Sequence, residues 1–271
     1  VAVGMTLVIF CGGIDLSVGA VIGFTSILMA TLVQGHGWHP ASAAALALVI
    51  GAGFGAGMGW LIHHFNLPSF LITLAGMFLA RGAAFWISTE SIGITHPLYR
   101  ESSLTRLPIG MGGSLAVPAL IFLAVFAAGY VVARYTRFGR GLLAVGGNEQ
   151  SALLMGLPVG RLKIGAYVVC SSCAVIAGLT NTLYSNGGNG AAGLGLELDA
   201  IAIVVIGGTV LTGGRGHMLG TLLGVLIYGT IQTAIDFDGR LNSWWTRIVV
   251  GVLLLAFILL QRLLLRRRKA G

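Results

Sequence analysis

Hydrophobic residues along this chain come in long runs rather than in alternation. The runs occupy approximately 16–33, 41–62, 67–87, 115–133, 164–184, 200–212, 219–235 and 244–262. Most have the roughly 17–25 residues a helix needs to cross a hydrocarbon core of about 30 Å. Strands of a membrane barrel would instead alternate polar and apolar in blocks of about ten. The pattern predicts an all-α, polytopic membrane protein of about eight spans, read as one transmembrane domain over residues 1–271. The opening stretch, Val1 to Gly13, is apolar but too short to span. It starts inside a hydrophobic run without an initiator Met, and no charged n-region or small-residue cleavage site is visible, so an N-terminal truncation is expected.

The run 200–212 is the weak member: Gly207-Gly208 and Gly213-Gly214 interrupt it, and about thirteen residues cover only about 20 Å. It is expected to cross as a broken helix facing a protein partner or a pathway rather than lipid.

Composition sharpens this picture. Hydrophobic residues make up 56% of the chain and charged ones 9%, too few to coat a soluble globule of 271 residues. The net charge of +8 would suggest nucleic acid in a soluble protein, so the position of the charges decides. Arg134, Arg137, Arg140, Arg161 and Lys163 share one loop, and Arg262, Arg266, Arg267, Arg268 and Lys269 share the tail. Basic loops stay in the cytoplasm, which places the loop 134–163 and the C-terminus there and removes the nucleic-acid reading. Parity agrees, because four runs lie between loop and tail. The same count puts 88–114, 185–199 and 236–243 outside, with Glu90, Glu101, Glu197, Asp199, Asp236 and Asp238 in them.

No catalytic or cofactor-binding constellation emerges. No Gly-Lys-Ser or Gly-Lys-Thr exists for a P-loop, so ATP is not hydrolysed by one here. Gly188-Asn-Gly190-Ala-Ala-Gly193 fits GxGxxG but follows no strand and opens no βαβ unit. Cys170-Ser-Ser-Cys173 sits inside an apolar helix, where packing is the better reading than redox chemistry, and Cys11 is read the same way. His63-His64 lacks the i,i+4 spacing and the carboxylate or Cys neighbours of a metal site, so no metal is expected.

The 43 glycines are the strongest compositional signal. Gly51, Gly53, Gly55, Gly57 and Gly59 alternate through one helix, while Gly19 with Gly23 and Gly220 with Gly224 form GxxxG pairs that let helices approach closely. Arg81 lies within an apolar run, six residues from the expected outer end of its helix, about 9 Å by helical rise. It either snorkels outward or marks a partner or pathway. Asp15, with Ser17 close by, opens a helix as an N-cap acceptor. The loop 134–163 holds, after Gly146, Gly147 and Asn148, a short helix from Glu149 to Leu157 that could receive force from a soluble partner.

Three blocks carry a family resemblance: Gly12-Gly-Ile-Asp-Leu-Ser-Val-Gly19; Arg137-Phe-Gly-Arg-Gly141 leading into Ala144-Val-Gly-Gly-Asn148; and Glu197-Leu-Asp-Ala-Ile-Ala202 with Val205-Ile-Gly-Gly-Thr209 and Gly213-Gly-Arg-Gly216. In this order they closely resemble the monosaccharide ABC-importer permeases of the ribose and xylose type, over essentially the whole chain. Within that family, Asn66-Leu-Pro-Ser-Phe-Leu-Ile-Thr-Leu-Ala-Gly-Met-Phe78, Glu90-Ser-Ile, and Asp236-Phe-Asp-Gly with Ser243-Trp-Trp-Thr246 are similar to a galactofuranose-importer permease.

The resemblance implies ten helices and a permease dimer in a bacterial inner membrane. It also implies two cytoplasmic ATP-binding subunits, a periplasmic sugar-binding protein and alternating access for the sugar. A family coupling helix would fall on Gly146, Gly147, Asn148, Glu149, Ala152 and Gly156, although Glu149-Gln150-Ser151 departs from the commonest family wording. Thr25, Asn181, Tyr184 and Asn186 are polar candidates for the sugar pathway, each with interhelical bonding as the alternative. A branched-chain amino-acid permease remains the rival of the same class, expected to differ in the Gly-Gly-Ile-Asp-Leu-Ser block. A stand-alone channel, secondary carrier or intramembrane enzyme is disfavoured because buried carboxylates and His clusters are not apparent.

Overall fold

The computed structural model describes residues 1–104, 106–110, 113–238 and 244–267. Arg268 and Lys269 of the basic tail, and Gly239 and Ser243 of the last family block, lie outside the described residues.

Backbone punctuation sets the elements. Helix α1 (Ala2–Phe10) stops where Gly12 takes a positive φ of 79°. After the turn through Asp15, α2 (Val18–Ala30) runs into a π-helical turn, Thr31–Gly35. Helix α3 (Pro40–His64) starts with Pro40 in its first turn and the His39 ring accepting from the Ala41 N–H at 3.2 Å. Helix α4 (Ser69–Ile87) follows Pro68. The next connection holds β1 (Ile92–Gly93), α5 (Pro97–Leu104), β2 (Arg106–Gly110) and β3 (Gly113–Ala116), with β2 antiparallel to β3.

Then come α6 (Val117–Tyr135), α7 (Arg137–Gly147), α8 (Glu149–Leu154) and α9 (Val159–Ser185), the last ended by Asn186 in the left-handed region. Strand β4 (Gly187–Gly188) pairs antiparallel with β1. The chain closes with α10 (Leu196–Ile206), α11 (Met218–Asp238) and α12 (Trp244–Arg267).

The all-α, polytopic reading holds. Among the described residues six stretches are long and apolar enough to cross a membrane: Val18–Gly35, Pro40–His64, Ser69–Ile87, Val117–Tyr135, Val159–Ser185 and Met218–Phe237. Val49, Phe78 and Trp86 point outward at 70%, 67% and 90% exposure, the arrangement a lipid solvent favours and water does not. The centre is α1, α2 and α9. Met5, Leu7, Val8 and Ile9 of α1 are fully buried, and α9 packs along α3, α2 and α1.

The alternating glycines of α3 divide by face. Gly51, Gly55 and Gly59 lie on one stripe against Val175, Tyr167 and Ile164 of α9, whereas a side chain at Gly53 or Gly57 would meet nothing within 4 Å. Gly220 and Gly224 likewise let α11 lie on Gly207 and Ile203 of α10, an antiparallel pairing. Gly4 of α1 sits on Cys170 and Cys173, consistent with packing roles for those cysteines.

One expectation is refined and another corrected. The run 200–212 does break at its glycines: a regular helix of 11 residues, α10, ends at Gly207, turns follow through Gly213 and Gly214, and a second irregular stretch precedes the helix. Residues 186–195 descend without helix along α2, from Gly188 beside Ser26 and Ala30 to Gly193 beside Gly19 and Ile22. This in turn moves Glu197 and Asp199. They are not in an outer loop but in the first turn of α10, with Glu197 against Gly19 near the start of α2. Glycines at 187, 188, 190, 193 and 195 let the chain run as a short strand and then successive turns along α2 before the helix begins.

Candidate functional site

The three sequence blocks meet in space. Gly146 at the end of α7 lies against Phe10 and Gly214, and a Cβ on Gly213 would fall 2.6 Å from the Gly12 nitrogen and 3.1 Å from the Gly146 Cα. The Gly214 N–H donates to the Phe10 carbonyl at 3.0 Å. Gly12, Gly213 and Gly214 all have positive φ. Only glycine permits both these dihedrals and backbones this close, so turns from three distant parts of the chain lock together.

Beside this junction α8 forms a knob on the basic side of the protein. Thr136 caps α7 by accepting from the Gly139 N–H at 3.2 Å, and Asn148 caps α8 by accepting from the Ser151 N–H at 2.9 Å. The Lys163 ammonium of α9 donates to Glu149 at 2.6 Å. Ala152 is fully buried under α8, Gly156 at φ +77° turns the chain away, and the Leu157 N–H bonds the Ala152 carbonyl at 3.1 Å. Gly147, Asn148 and Gly156 are exposed, while Gly146 faces inward. The sequence reading did not single out the apolar tip, Leu153, Leu154 and Met155, exposed by 54%, 90% and 68%. In so apolar a chain these residues carry no composition signal; only the exposed side of a short capped helix distinguishes them.

Above the junction lies the Asp15 turn. Asp15 is fully buried and its Oδ1 accepts from the Ser17 N–H at 2.9 Å and the Ser17 hydroxyl at 2.7 Å. It thus holds the residue before α2 rather than capping the helix from the cap position itself, which Ser17 occupies. Ser69 and Thr73 of α4 bind the Ile14 N–H and carbonyl, both at 3.3 Å. Backbone groups freed by the break between α1 and α2 are satisfied by protein.

Arg81 does not snorkel outward. Its Nη1 donates to the carbonyls of Gly190 and Ala192, at 2.6 and 2.9 Å, and the guanidinium occupies the space left by Gly23. Glu197 occupies the space left by Gly19, one turn lower on α2. The GxxxG pair expected to admit a helix therefore admits an irregular strand of chain and two charged side chains. Elsewhere on α10, Asp199 interacts with Tyr228 of α11, which Arg247 of α12 also influences.

The four polar pathway candidates are not gathered around one space. Thr25 is buried against Gly178, between α2 and α9. Asn181 is half-buried on α9 and Tyr184 is 78% exposed. Asn186 makes the turn after α9, with its carbonyl accepting from the Ile94 N–H at 2.8 Å. An apolar cavity of about 190 Å³ lies between α2, α3 and α4, lined by Phe24, Phe54 and Ala80 among others.

Known proteins place this architecture. Residues 1–258 match the family described as "Branched-chain amino acid transport system / permease component". The inner membrane ABC transporter permease protein YjfF of Escherichia coli (strain K12) is 50% identical over 262 residues, covering 97% of this chain and 79% of that protein. The chain belongs to this family of ABC-importer permeases. The fructose import permease protein FruG of Bifidobacterium longum (strain NCC 2705) is 40% identical to this permease, covering 96% of it and 78% of FruG. The ribose import permease protein RbsC of Escherichia coli (strain K12) is 37% identical, covering 96% of this permease and 80% of RbsC. These relatives are sugar-importer permease components rather than enzymes, and this permease falls among them. No solved structure matches this permease significantly.

Proposed function

We propose that this chain is the membrane-spanning subunit of an ATP-driven importer in a bacterial inner membrane, carrying a monosaccharide, galactofuranose, by alternating access. Two such permease subunits stand on two cytoplasmic ATP-binding subunits and take sugar from a periplasmic binding protein. The observation that carries the reading is the α8 knob, an apolar tip of Leu153, Leu154 and Met155 on a capped and ion-paired helix beside the basic loop. Aliphatic side chains held out in water on a rigid base suit a groove in a soluble partner.

In this reading the loop 134–163 is the coupling loop and the C-terminus is cytoplasmic. Gly147, Asn148, Glu149 and Gly156 frame the contact with the ATPase, while Gly146 and Ala152 seat the knob. A push on α8 passes from Gly146 to Phe10 at the end of α1, and to Gly214 between α10 and α11. Closure of the ATPase dimer would so re-orient the helices around the pathway, with Thr25, Asn181, Tyr184 and Asn186 as candidate polar groups along it. Galactofuranose is favoured by the blocks at 66–78, 90–92 and 236–246, and a monosaccharide generally by the printed names of FruG and RbsC.

The family description supports branched-chain amino acids as a second cargo class. The test is ATPase activity of this permease in proteoliposomes with its ATP-binding partner, titrated with binding proteins loaded with galactofuranose, ribose or leucine. Stimulation by loaded galactofuranose supports the reading. Stimulation by leucine alone replaces the cargo, and failure to associate with any ATPase removes the importer.

A further inference from the structure

The irregular segment 186–195 leaves Asn189 and Leu194 exposed on the protein surface, and α10 continues this exposed flank at Leu196 and Leu198. Non-helical backbone at membrane depth cannot face hydrocarbon, so this flank borders water or protein. The antiparallel register of α10 and α11, with Gly207 on Gly220 and Ile203 on Gly224, brings Asp199 level with Tyr228, midway along α11. Tyr228 interacts electrostatically with Asp199 and with Arg247 of α12. The guanidinium also reaches over the chain just before α10, where a Cβ on Gly195 would lie 3.6 Å from its Nη2. Asp199 and Tyr228 are half-buried and Arg247 is exposed.

We infer that Asp199, Tyr228 and Arg247 form a contact station for the hydroxyl groups of a neutral monosaccharide midway through the membrane. Ionisable groups are costly at this depth and mark pathways, and a discontinuous crossing is where transporters place such groups. The chemistry suits a polyol. A carboxylate accepts from two neighbouring hydroxyls, a guanidinium donates to hydroxyl and ring oxygens, and the phenol does either. The acid and the base together leave the station without net charge, which fits an uncharged cargo that must also be released.

This inference rests on the sugar-import reading above. The test uses the full complex in proteoliposomes with sugar-loaded binding protein, and compares Asp199→Asn, Arg247→Gln and the double variant. Sugar imported per ATP hydrolysed is measured for galactofuranose and ribose, with co-purification of the second permease subunit as a control of assembly. Each single variant is expected to lower that ratio about ten-fold, the effect of one lost hydrogen bond to a charged group, and to shift the preference between the two sugars. The double variant is expected to be no better than the worse single one, because neutralising both charges restores no contact to the sugar. Recovery in the double variant would show an ion pair of purely structural value and overturn the inference. Import at the wild-type ratio would overturn it as well, and so would loss of the second permease subunit from the complex, which would mean that another copy covers the flank. Where the charge variants do not accumulate, Tyr228→Phe supplies the same comparison. Failure of the wild-type complex to import either sugar would instead remove the sugar-import reading, and this station with it.

Discussion

Arg81 of α4 donates to the carbonyl of Gly190, 109 residues further along the chain, at 2.6 Å. That bond and its companion to Ala192 replace the helical hydrogen bonds that the segment 186–195 lacks. A cation aimed at carbonyls is how an apolar helix can carry an arginine without exposing it to lipid.

Removing the guanidinium should therefore unsettle the segment rather than merely lose a charge. Arg81→Met is expected to lower stability by about 2 kcal/mol, since it strands the buried Gly190 carbonyl and the partly buried Ala192 carbonyl. Arg81→Lys should recover only part of this, because a single ammonium on a different stem must span both acceptors. Thermal unfolding of the detergent-solubilised protein measures both. An Arg81→Met variant as stable as wild type would contradict the role.

The glycines give a paired prediction. A methyl at Gly23 would lie 2.5 Å from both the Arg81 Nη1 and the Gly190 oxygen, while one at Gly57 would meet nothing within 4 Å. Gly23→Ala should destabilise by about 1–3 kcal/mol, and Gly57→Ala should be neutral or stabilising by up to about 1 kcal/mol. The same thermal assay ranks them, and equal effects would mean that composition rather than contact governs these positions.

How far the sequence could see is clear from these same residues. The long spans were legible because each apolar run is a local property of the chain. So was the short capped helix of the basic loop, announced by its glycines and an Asn cap. The partner of Arg81 was not legible: it is a pair of backbone carbonyls, and carbonyls have no residue type. Gly19 and Gly23 announced close approach but not what approaches. Glu197 and Asp199 were assigned to a loop because charge count cannot tell a loop from a glycine-rich segment that packs along α2 and delivers acids to the first turn of a helix. Leu154 was missed for the opposite reason, being one leucine among many until the fold exposes it.

The cysteines offer a check on the packing at the centre. Cys11, Cys170 and Cys173 are 8%, 0% and 8% exposed. Thiols buried among helices are inert towards hydrophilic reagents. A charged maleimide is expected to leave all three unmodified in the folded protein and to label them after denaturation, read by mass spectrometry. Fast labelling of Cys170 in the native state would mean that α1 does not lie on α9 as described.

The α8 knob separates fold from coupling most directly. Leu154 is 90% exposed and supports nothing else in the chain, so Leu154→Asp should leave thermal stability within about 0.5 kcal/mol of wild type. If its side chain fills a groove in the ATPase, the same change should weaken association by about 30-fold, the scale of an interface anchor near 2 kcal/mol. Asn148→Ala acts differently. It removes the cap on the Ser151 N–H and should cost about 1 kcal/mol locally, fraying α8 and raising hydrogen exchange there without reaching the spans. Co-purification with the ATP-binding subunit, hydrogen exchange over 148–157 and thermal unfolding together distinguish the two. Loss of the complex in Leu154→Asp with an intact fold is the outcome the coupling role requires. Undiminished association would place the contact elsewhere on the cytoplasmic face.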